Sequence, residues 1–356
     1  MPEGGNGTTP RTATVGIITN PHSGRDIRRL VASASVFGNA EKVNMVRRVL
    51  SALAVAGVGR ALLSVDLGGI SAGLLRAASS RVAGRDVPWP TLEFLDGDTP
   101  TQTAADTTAA VRRMLAQGAD VIVCLGGDGT ARVAASACGE VPLLPLSTGT
   151  NNAFPQMREA TVAGLAAGLV ATGAVPEGSA TRRASALEVT ARGRHENALV
   201  DVCVSVAGDV GSRALWHPAE LRELYCTFAE SDGIGLSSIP GLLRPSPRDE
   251  PQGVELLLCP PERAAMSVYA PVAPGLVCEV GVASIGTMEV GATRTVGTPA
   301  GVVAVDGERE IEFGCADTVT VTLSDRGPRV IDIGATLRMA AERGLLAHHR
   351  DAFVSQ

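Results

Sequence analysis

Lysine is almost absent from this sequence. Lys42 is the single lysine among 31 basic residues. Because Lys42 does not follow a glycine-rich loop, the chain has no Walker-type phosphate site, and a Schiff-base lysine is not expected. Any phosphate group must therefore be bound by backbone amides, hydroxyl groups, arginine side chains or a metal ion.

Long apolar runs and paired cysteines are also missing. No stretch of about 18 or more apolar residues occurs, and residues 1–12 lack the apolar core of a signal peptide. The seven cysteines include no Cys-x-x-Cys pair, so we expect reduced core residues and not disulfides or metal ligands. These absences predict a soluble, cytoplasmic protein.

The formal net charge is −6, and no Gly-x-Gly-x-x-Gly motif follows a predicted strand. Nucleic acids and anionic membranes favour basic surfaces, so we expect neither as a partner. Without the dinucleotide fingerprint, an oxidoreductase is the least favoured enzyme class. We also expect the chain to form a homo-oligomer.

A length of 356 residues favours two domains. In the first half, short apolar runs alternate with helical patterns, which is typical of a doubly wound parallel sheet. In the second half, short strands with turn signals predict an antiparallel β domain. The predicted fold is therefore α/β plus β: a disordered tail over residues 1–12, an α/β nucleotide-binding domain over 13–180, a β-rich domain over 181–334, and a C-terminal helix over 335–356 that packs on the first domain.

Several elements have defined expected bounds in the first half. A helix that contains residues 43–53 should stop at Gly57, and a helix over residues 102–117 should be capped by Thr101 and end at Gly118. The predicted strands of this half cover residues 14–18, 60–65, 92–95, 121–125 and 142–146.

In the second half, strands over residues 186–191 and 198–206 should form a hairpin. A helix is predicted over residues 219–229, where it interrupts the strands. Residues 246–251 contain two prolines and three charged residues and are predicted to form an exposed loop.

The most informative segment is residues 121–130, an apolar run followed by Gly-Gly-Asp-Gly-Thr. Such a run suits a strand buried on both faces of a parallel sheet, whose ligands gather at the carboxyl ends of the strands. Asp128 is therefore expected in a binding crevice, where it can hold Mg²⁺ or accept a proton. The glycines let backbone N–H groups approach a phosphate. A plain link between strand and helix is the alternative that these residues alone leave open.

Three other loops support a functional site when they are considered together with residues 121–130. The first strand ends in Asn-Pro-His-Ser-Gly over residues 20–24, and a later strand ends in Ser-Thr-Gly-Thr-Asn-Asn over residues 147–152. Small polar residues can bind phosphate groups and ribose hydroxyls. Helix capping is the alternative explanation, but it needs only one such residue, whereas these loops contain several. Asp-Gly-Glu over residues 306–308 would alone indicate only a hairpin turn.

In this order, the motifs resemble those of the superfamily that contains NAD kinases, diacylglycerol kinases and sphingosine kinases. Its signature is matched by residues 126–130, and its flanking motifs by the Asn-Pro and Asp-Gly-Glu sequences. Within the superfamily, residues 20–30 and 147–155 are most similar to the ATP-NAD kinase-like family of acetoin catabolism protein X. The resemblance covers residues 13–345.

The resemblance implies an active site in the cleft between two domains, ATP and Mg²⁺ as cofactors, and phosphoryl transfer to a hydroxyl of NAD or another small acceptor. Asp128 would act as general base or orient the acceptor hydroxyl. The residues implied in binding ATP or its phosphates are Asn20, Ser23, Gly24, Gly126, Gly127, Gly129, Thr130, Thr148, Gly149, Thr150, Asn151, Asn152, Asp306, Gly307 and Glu308. Which carboxylates hold the metal ion stays open.

One segment departs from the pattern of true NAD kinases, in which an Asn before an acidic residue binds the dinucleotide. Here the acid is Asp201, which we expect to bind the acceptor, and Val200 stands in place of the amide. Valine cannot make the hydrogen bonds of asparagine, so NAD is in doubt as the acceptor. A nucleotide-binding regulator without transfer activity and a lipid kinase are the alternative functions.

A few isolated residues are weaker candidates. Glu188 and Asp209 are possible cleft acids, and His217 and the segment over residues 235–241 could shape an acceptor pocket. A structural function is the favoured interpretation for all four.

Overall fold

The structure, a computed structural model, describes residues 11–23, 32–81, 88–95, 97, 99–206 and 218–347. In chain order its strands are β1 (Thr14–Thr19), β2 (Arg60–Leu63), β3 (Thr91–Phe94), β4 (Val121–Gly126), β5 (Leu143–Ser147), β6 (Thr181–Arg183), β7 (Ala186–Ala191), β8 (Arg194–Ala198), β9 (Asp201–Ser205), β10 (Leu221–Cys226), β11 (Gln252–Cys259), β12 (Met266–Ala273), β13 (Leu276–Glu289), β14 (Thr293–Thr295), β15 (Gly301–Val305), β16 (Glu308–Phe313), β17 (Val319–Ser324) and β18 (Arg329–Ile331). The described helices are α1 (Asn39–Val55), α2 (Ile70–Ser79), α3 (Ala104–Ala116), α4 (Asp128–Cys138), α5 (Ala160–Ala171), α6 (Glu177–Ala180), α7 (Ser238–Gly241) and α8 (Ile333–Glu342).

The first sheet has the strand order β3-β2-β1-β4-β5-β18-β6 and is parallel from β3 through β18. Every residue of β1 and of β4 is buried, because helices cover both faces of the sheet. Val123 packs in one apolar cluster with α1 and α5, whereas its neighbour Cys124 packs in another with α3 and α4. The predicted doubly wound sheet is confirmed.

The second half is antiparallel, as predicted. One sheet has the order β12-β13-β11-β10-β9-β15-β16 and another the order β14-β17-β7-β8, with a shared apolar core between them. The chain then returns, because α8 packs on α5 and buries Ala340 in the core of the first sheet. Strands β6 and β18 also belong to the first sheet, and the exact domain bounds stay predictions.

The helix predicted over residues 219–229 is wrong. Residues 221–226 form β10, a central strand of the larger antiparallel sheet. Leu221 and Leu224, three residues apart, imitate a helical period. Both pack in one apolar cluster, whereas Tyr225 points into the core on the other face. A strand buried on both faces lacks the alternation by which a strand is recognised.

Other local predictions also needed correction. The hairpin partner of β7 is β8, not residues 198–206, because β9 pairs with β10 and β15 in a different sheet. Thr103, not Thr101, accepts the capping hydrogen bond of α3 from Ala105. Four residues of the predicted exposed loop over residues 246–251 are exposed as expected, but Ser246 is 3% exposed and Arg248 is half-buried. The helix α2 was not predicted from the sequence.

Helices α1 and α5 approach closely enough to require glycine at their contact. A Cβ atom on Gly164 would lie 2.9 Å from Val49 Cα and Val49 O, and one on Gly168 would lie 2.5 Å from Ala56 Cβ. Backbone atoms of α1 cannot move away without disturbing the sheet below. The two glycines therefore set the distance at which α5 packs over the first sheet.

The turn between β15 and β16 is fastened to the start of β9 by a buried carboxylate. Asp306 has a φ of 50° and a side chain that is 1% exposed. Its carboxylate accepts hydrogen bonds from the N–H groups of Leu199, Val200 and Asp201, at 3.0, 2.8 and 3.3 Å. Burial raises the pKa of Asp306 to about 7, although the Arg132 guanidinium at 3.7 Å favours the ionised form.

Within the described residues, no helix has both the length and the apolar character needed to cross a membrane. All seven cysteines are free thiols, and four of them are buried, which agrees with the expectation that cysteine here is mainly a core residue.

Replacing Gly164 by valine should destabilise the protein by roughly 1–3 kcal/mol, because the added side chain overlaps the backbone of α1. Urea denaturation followed by circular dichroism measures the change. Gly178 is the matched control: it lies in a helix, and a Cβ atom there would meet nothing within 4 Å. Gly178→Ala should leave stability unchanged or raise it by up to about 1 kcal/mol. Equal effects of the two substitutions would contradict this packing.

The raised pKa of Asp306 predicts a pH dependence of stability. Between its unfolded pKa near 3.8 and its folded pKa of about 7, the folded chain retains a proton that the unfolded chain releases. The contribution of Asp306 to the free energy of unfolding is therefore complete below its unfolded pKa, and it is lost as the pH rises through its folded pKa. The difference in unfolding free energy between wild type and Asp306→Asn should become less favourable to wild type from pH 5 to 7, then level off. A difference that is constant from pH 5 to 8 would show that Asp306 is ionised throughout.

Candidate functional site

A cleft of about 1310 Å³ lies at the carboxyl ends of β1, β4 and β5. Because these strands are parallel neighbours, the segments that follow them meet at one edge of the sheet. The turn between β15 and β16 supplies the opposite wall. The predicted site residues that line the cleft are Asn20, Ser23, Gly127, Asp128, Gly129, Thr130, Thr148, Gly149, Thr150, Asn151, Asn152, Asp306 and Glu308.

Asp128 is the first residue of α4, so the predicted glycine-rich turn is shorter than expected and the helix begins at the carboxylate itself. The carboxylate reaches across to the loop that follows β5. It accepts hydrogen bonds from the N–H groups of Ala153, at 3.0 Å, and Phe154, at 2.8 Å. Asp128 therefore fixes two loops of the cleft relative to each other.

The glycines beside Asp128 let the start of α4 pack closely against neighbouring side chains. A Cβ atom on Gly127 would lie 2.7 Å from Asn152 Oδ1, and one on Gly126 would lie 2.6 Å from Thr130 Cβ. Gly127 is the N-cap residue and has no side chain with which to cap the helix, and residues 127–130 line the cleft. The first N–H groups of α4 and the positive end of its dipole therefore face the cleft.

The segment after β1 is bonded to both neighbouring loops. Asn20 Nδ2 donates to Thr130 Oγ1 at 2.8 Å, and the hydroxyls of Ser23 and Thr148 are 2.9 Å apart. These contacts bring together residues that the sequence separates by more than 100 positions. Gly24, the last predicted residue of this loop, lies outside the described residues.

The loop after β5 is held by its own side chains. Asn152 Nδ2 donates to Ser147 Oγ at 2.7 Å, and Thr150 Oγ1 accepts a hydrogen bond from the N–H group of Ser35 at 2.9 Å. Asn151 lines the cleft between them. The dense run of small polar residues thus serves both to shape the loop and to present polar groups to the cleft.

Lys42 takes part in this site, which the sequence did not reveal. The side chain lies in α1 and is 1% exposed. Its ammonium group donates to the carbonyl oxygens of Asn20, at 2.9 Å, and Ser23, at 3.3 Å. A compact cation therefore holds the carbonyls of the β1 loop on the side away from the cleft, and only its occurrence as the single lysine could have drawn attention to it.

Arg132 joins the two halves of the chain. The side chain, on α4, is 14% exposed; it donates to Glu310 at 2.9 Å and lies 3.7 Å from both Asp306 and Glu196. Burial alone would lower the pKa of Arg132, but the neighbouring carboxylates of Asp306 and Glu310 outweigh it and raise the pKa. The guanidinium remains charged at the base of the cleft.

The two acidic residues of the Asp-Gly-Glu turn contact different parts of the structure. Asp306 is bonded to the start of β9, and Gly307 has a φ of 76°, which suits glycine. Glu308 faces the start of α4, since a Cβ atom on Gly129 would lie 3.6 Å from Glu308 Oε1. Glu308 is thus the member of the turn whose side chain lies next to the N-terminal end of α4.

The predicted acceptor residue, Asp201, is 4% exposed and is not among the cleft-lining residues that the structure describes. Its N–H group and carbonyl oxygen both bond to Asp306. Val200 packs in an apolar cluster with Phe154 and Phe228. The position where NAD kinases carry an amide is therefore part of a small core in this chain.

None of the weaker candidates that the structure describes lines the cleft. Glu188 lies on an exposed position of β7, and residues 236 and 239 are buried in the core of the larger antiparallel sheet. Asp209 and His217 lie outside the described residues. In the part of the chain that the structure describes, no group of three or more His, Cys, Asp or Glu side chains is arranged to hold a metal ion by itself.

Comparisons with known proteins agree with this architecture. The profile of the ATP-NAD kinase N-terminal domain matches residues 15–175, and the profile of the acetoin catabolism protein X C-terminal domain matches residues 185–326. Acetoin catabolism protein X of Cupriavidus necator is 44% identical over 337 residues, which are 93% of each chain. A diacylglycerol kinase structure from Bacillus anthracis str. Sterne aligns with 91% of this chain and 98% of its own, at 12% identity and a TM-score of 0.42. The resemblance found in the sequence is confirmed: the chain belongs to the acetoin catabolism protein X family and carries an NAD kinase-like N-terminal domain.

Proposed function

We propose that the protein is an ATP-dependent phosphotransferase that transfers the γ-phosphoryl group to a hydroxyl of a small acceptor. The observation that carries this proposal is the N-terminus of α4, which has glycine as its N-cap residue and at which the loops after β1, β4 and β5 converge. Helix N-termini bind phosphate through free N–H groups and the positive end of the dipole. The name of the 44% identical relative links the reaction to acetoin catabolism.

The polar groups around this helix end suit ATP. Amide and hydroxyl groups of Asn20, Ser23 and Thr148 stand beside the helix, and such groups bind phosphate oxygens and ribose hydroxyls. Single small-molecule pockets measure about 300–1,000 Å³. The cleft of about 1310 Å³ is larger, which supports the binding of a phosphoryl donor and an acceptor together.

Mg²⁺ fits this arrangement as a companion of the nucleotide. Protein sites commonly hold Mg²⁺ through one or two carboxylates and the phosphates of a substrate, and not in a complete protein cage. The described residues contain no such cage, but acidic side chains line the cleft. ATP supplies the phosphoryl group, and the ion would offset its negative charge.

Asp128 is the proposed catalytic residue. The N–H groups of Ala153 and Phe154 fix its carboxylate at the base of the cleft, where it can orient the acceptor hydroxyl or accept its proton. Glu308 faces the same helix end from the opposite wall. Phosphoryl transfer depends mainly on such positioning and on charge neutralisation, for which Arg132 is available nearby.

The acceptor is NAD or another small hydroxyl compound. Because Val200 packs against Phe154 and Phe228, that position offers no amide to a dinucleotide, and the balance favours a compound other than NAD. Asp201 would act on the acceptor through its backbone bonds to Asp306.

A nucleotide-binding regulator is the second candidate. Its support is the bonding of Asp128 itself, since a carboxylate that only fastens a loop would make the same hydrogen bonds to Ala153 and Phe154. Calorimetry that detects tight binding of ATP, combined with no ADP formation from any acceptor in a panel of small alcohols and NAD, would favour this candidate.

Asp128→Asn should lower kcat by about 10²–10⁴-fold, which is the usual contribution of a general acid or base. The variant should still fold, because the Asn Oδ1 atom can accept the hydrogen bonds of Ala153 and Phe154. ADP release in the presence of Mg-ATP and the acceptor panel measures turnover, and thermal unfolding checks the fold.

Asp120 provides the control for this substitution. It accepts a hydrogen bond of 2.8 Å from the N–H group of Thr14, but it lies at the amino ends of β1 and β4, across the sheet from the cleft. Asp120→Asn should retain activity. Full turnover by folded Asp128→Asn would show that Asp128 is not catalytic and that its carboxylate has only a structural function.

A further inference from the structure

Arg248 lies in the segment over residues 246–251, which the sequence predicted to be exposed, yet its side chain is 13% exposed. The guanidinium donates hydrogen bonds to the carbonyl oxygens of Ala153, at 3.1 Å, and Phe154, at 3.2 Å. It therefore reaches from the second half of the chain to the loop that follows β5.

The same two residues are bonded by Asp128 on their N–H groups. Ala153 and Phe154 are thus held on one side by a carboxylate of the cleft and on the other by a guanidinium behind it. Hydrogen bonds to charged groups are stronger than those between neutral groups. Two consecutive residues held in this way have little freedom to move.

Arg248 is itself fixed in place. Glu230 accepts a hydrogen bond from its Nε atom at 2.7 Å and another from its Nη2 atom, and the guanidinium lies 4.4 Å from the centre of the Phe228 ring. Next to this pair, backbone hydrogen bonds of 2.7 and 2.8 Å join Ala229 to Ser246 in both directions. The cation therefore belongs to a rigid part of the antiparallel domain.

We propose that Arg248 is a positioning residue that holds residues 153–154, and through them the carboxylate of Asp128, in the geometry required at the base of the cleft. Its effect on turnover rests on the proposed function, whereas its effect on the loop does not. The planar guanidinium bonds two carbonyl oxygens and a carboxylate at once. A lysine ammonium has neither the fork nor the flat face that packs against Phe228.

Hydrogen exchange measured by mass spectrometry tests the effect on the loop. In Arg248→Gln, exchange in peptides that cover residues 147–156 should be about tenfold faster or more, because the loss of charged hydrogen bonds lowers the cost of local opening. Arg248→Lys should also accelerate exchange in these peptides, but by a smaller factor. Asp128→Asn should leave this segment closer to wild type, since the amide oxygen still accepts from the two N–H groups.

Arg294 is the matched control. It donates to Glu255 at 2.6 Å in an arginine–glutamate pair of the antiparallel domain, and neither side chain contacts the loop over residues 147–156 in the described structure. Arg294→Gln should leave exchange in that loop unchanged. Equal exchange in wild type and Arg248→Gln would overturn the proposal.

Kinetics separate positioning from general destabilisation. In Arg248→Gln, kcat should fall by up to about 100-fold, the cost of a misplacement of roughly 1 Å, while KM for ATP stays within a factor of two or so. If the substitution only lowered the fraction of folded enzyme, kcat calculated per folded active site would equal that of wild type. If Arg248→Gln does not fold, Glu230→Gln removes the support of the guanidinium and should accelerate the same exchange. If wild type forms no ADP, the kinase proposal fails, but the exchange experiment still decides whether Arg248 holds the loop.

Discussion

The cleft depends on the hydrogen bonds between the Asp128 carboxylate and the N–H groups of Ala153 and Phe154. Asp128 begins α4, so these bonds fasten the N-terminal end of a helix to the loop that forms the next wall. A carboxylate at the first turn of a helix is also favourable for the helix dipole. One side chain thereby stabilises a helix, orders a loop and stands at the position where the chemistry is proposed. Arg248 completes the arrangement from behind, on the carbonyl side of the same two residues.

A cleft lined with carboxylates would repel phosphate unless its negative charge were offset. Here backbone N–H groups partly offset it, since each cleft aspartate accepts at least two hydrogen bonds from the main chain. Arg132 adds a positive charge between α4 and the antiparallel domain. Lys42 contributes from below by bonding the carbonyl oxygens of the β1 loop. The cleft aspartates bonded in this way are Asp66, Asp106, Asp128 and Asp306.

Predictions from the sequence succeeded where one local rule governed the structure. The apolar run before Gly126 is a strand buried on both faces, as its composition predicted, and glycine at position 57 or 118 ended a helix as expected because both adopt positive φ. The predictions failed where contacts between residues far apart in sequence determined the local structure. Residues 221–226 imitate a helix until the two apolar cores on either side of them are known. The segment containing Arg248 has the composition of a loop, and the burial of the Arg248 side chain follows only from partners at positions 153, 154 and 230.

The sequence by itself determined the fold class, the family, and the motifs that gather at one edge of the sheet, because parallel strands place the segments that follow them side by side. It did not determine which groups of those motifs face the cleft. Only the tertiary structure showed that Asp306 is buried under Leu199 and Val200 whereas Glu308 faces α4. It alone brought Lys42 and Arg248 to the loops they hold. Hydrogen bonds between residues far apart in sequence form only after the chain has packed, and no local pattern records them.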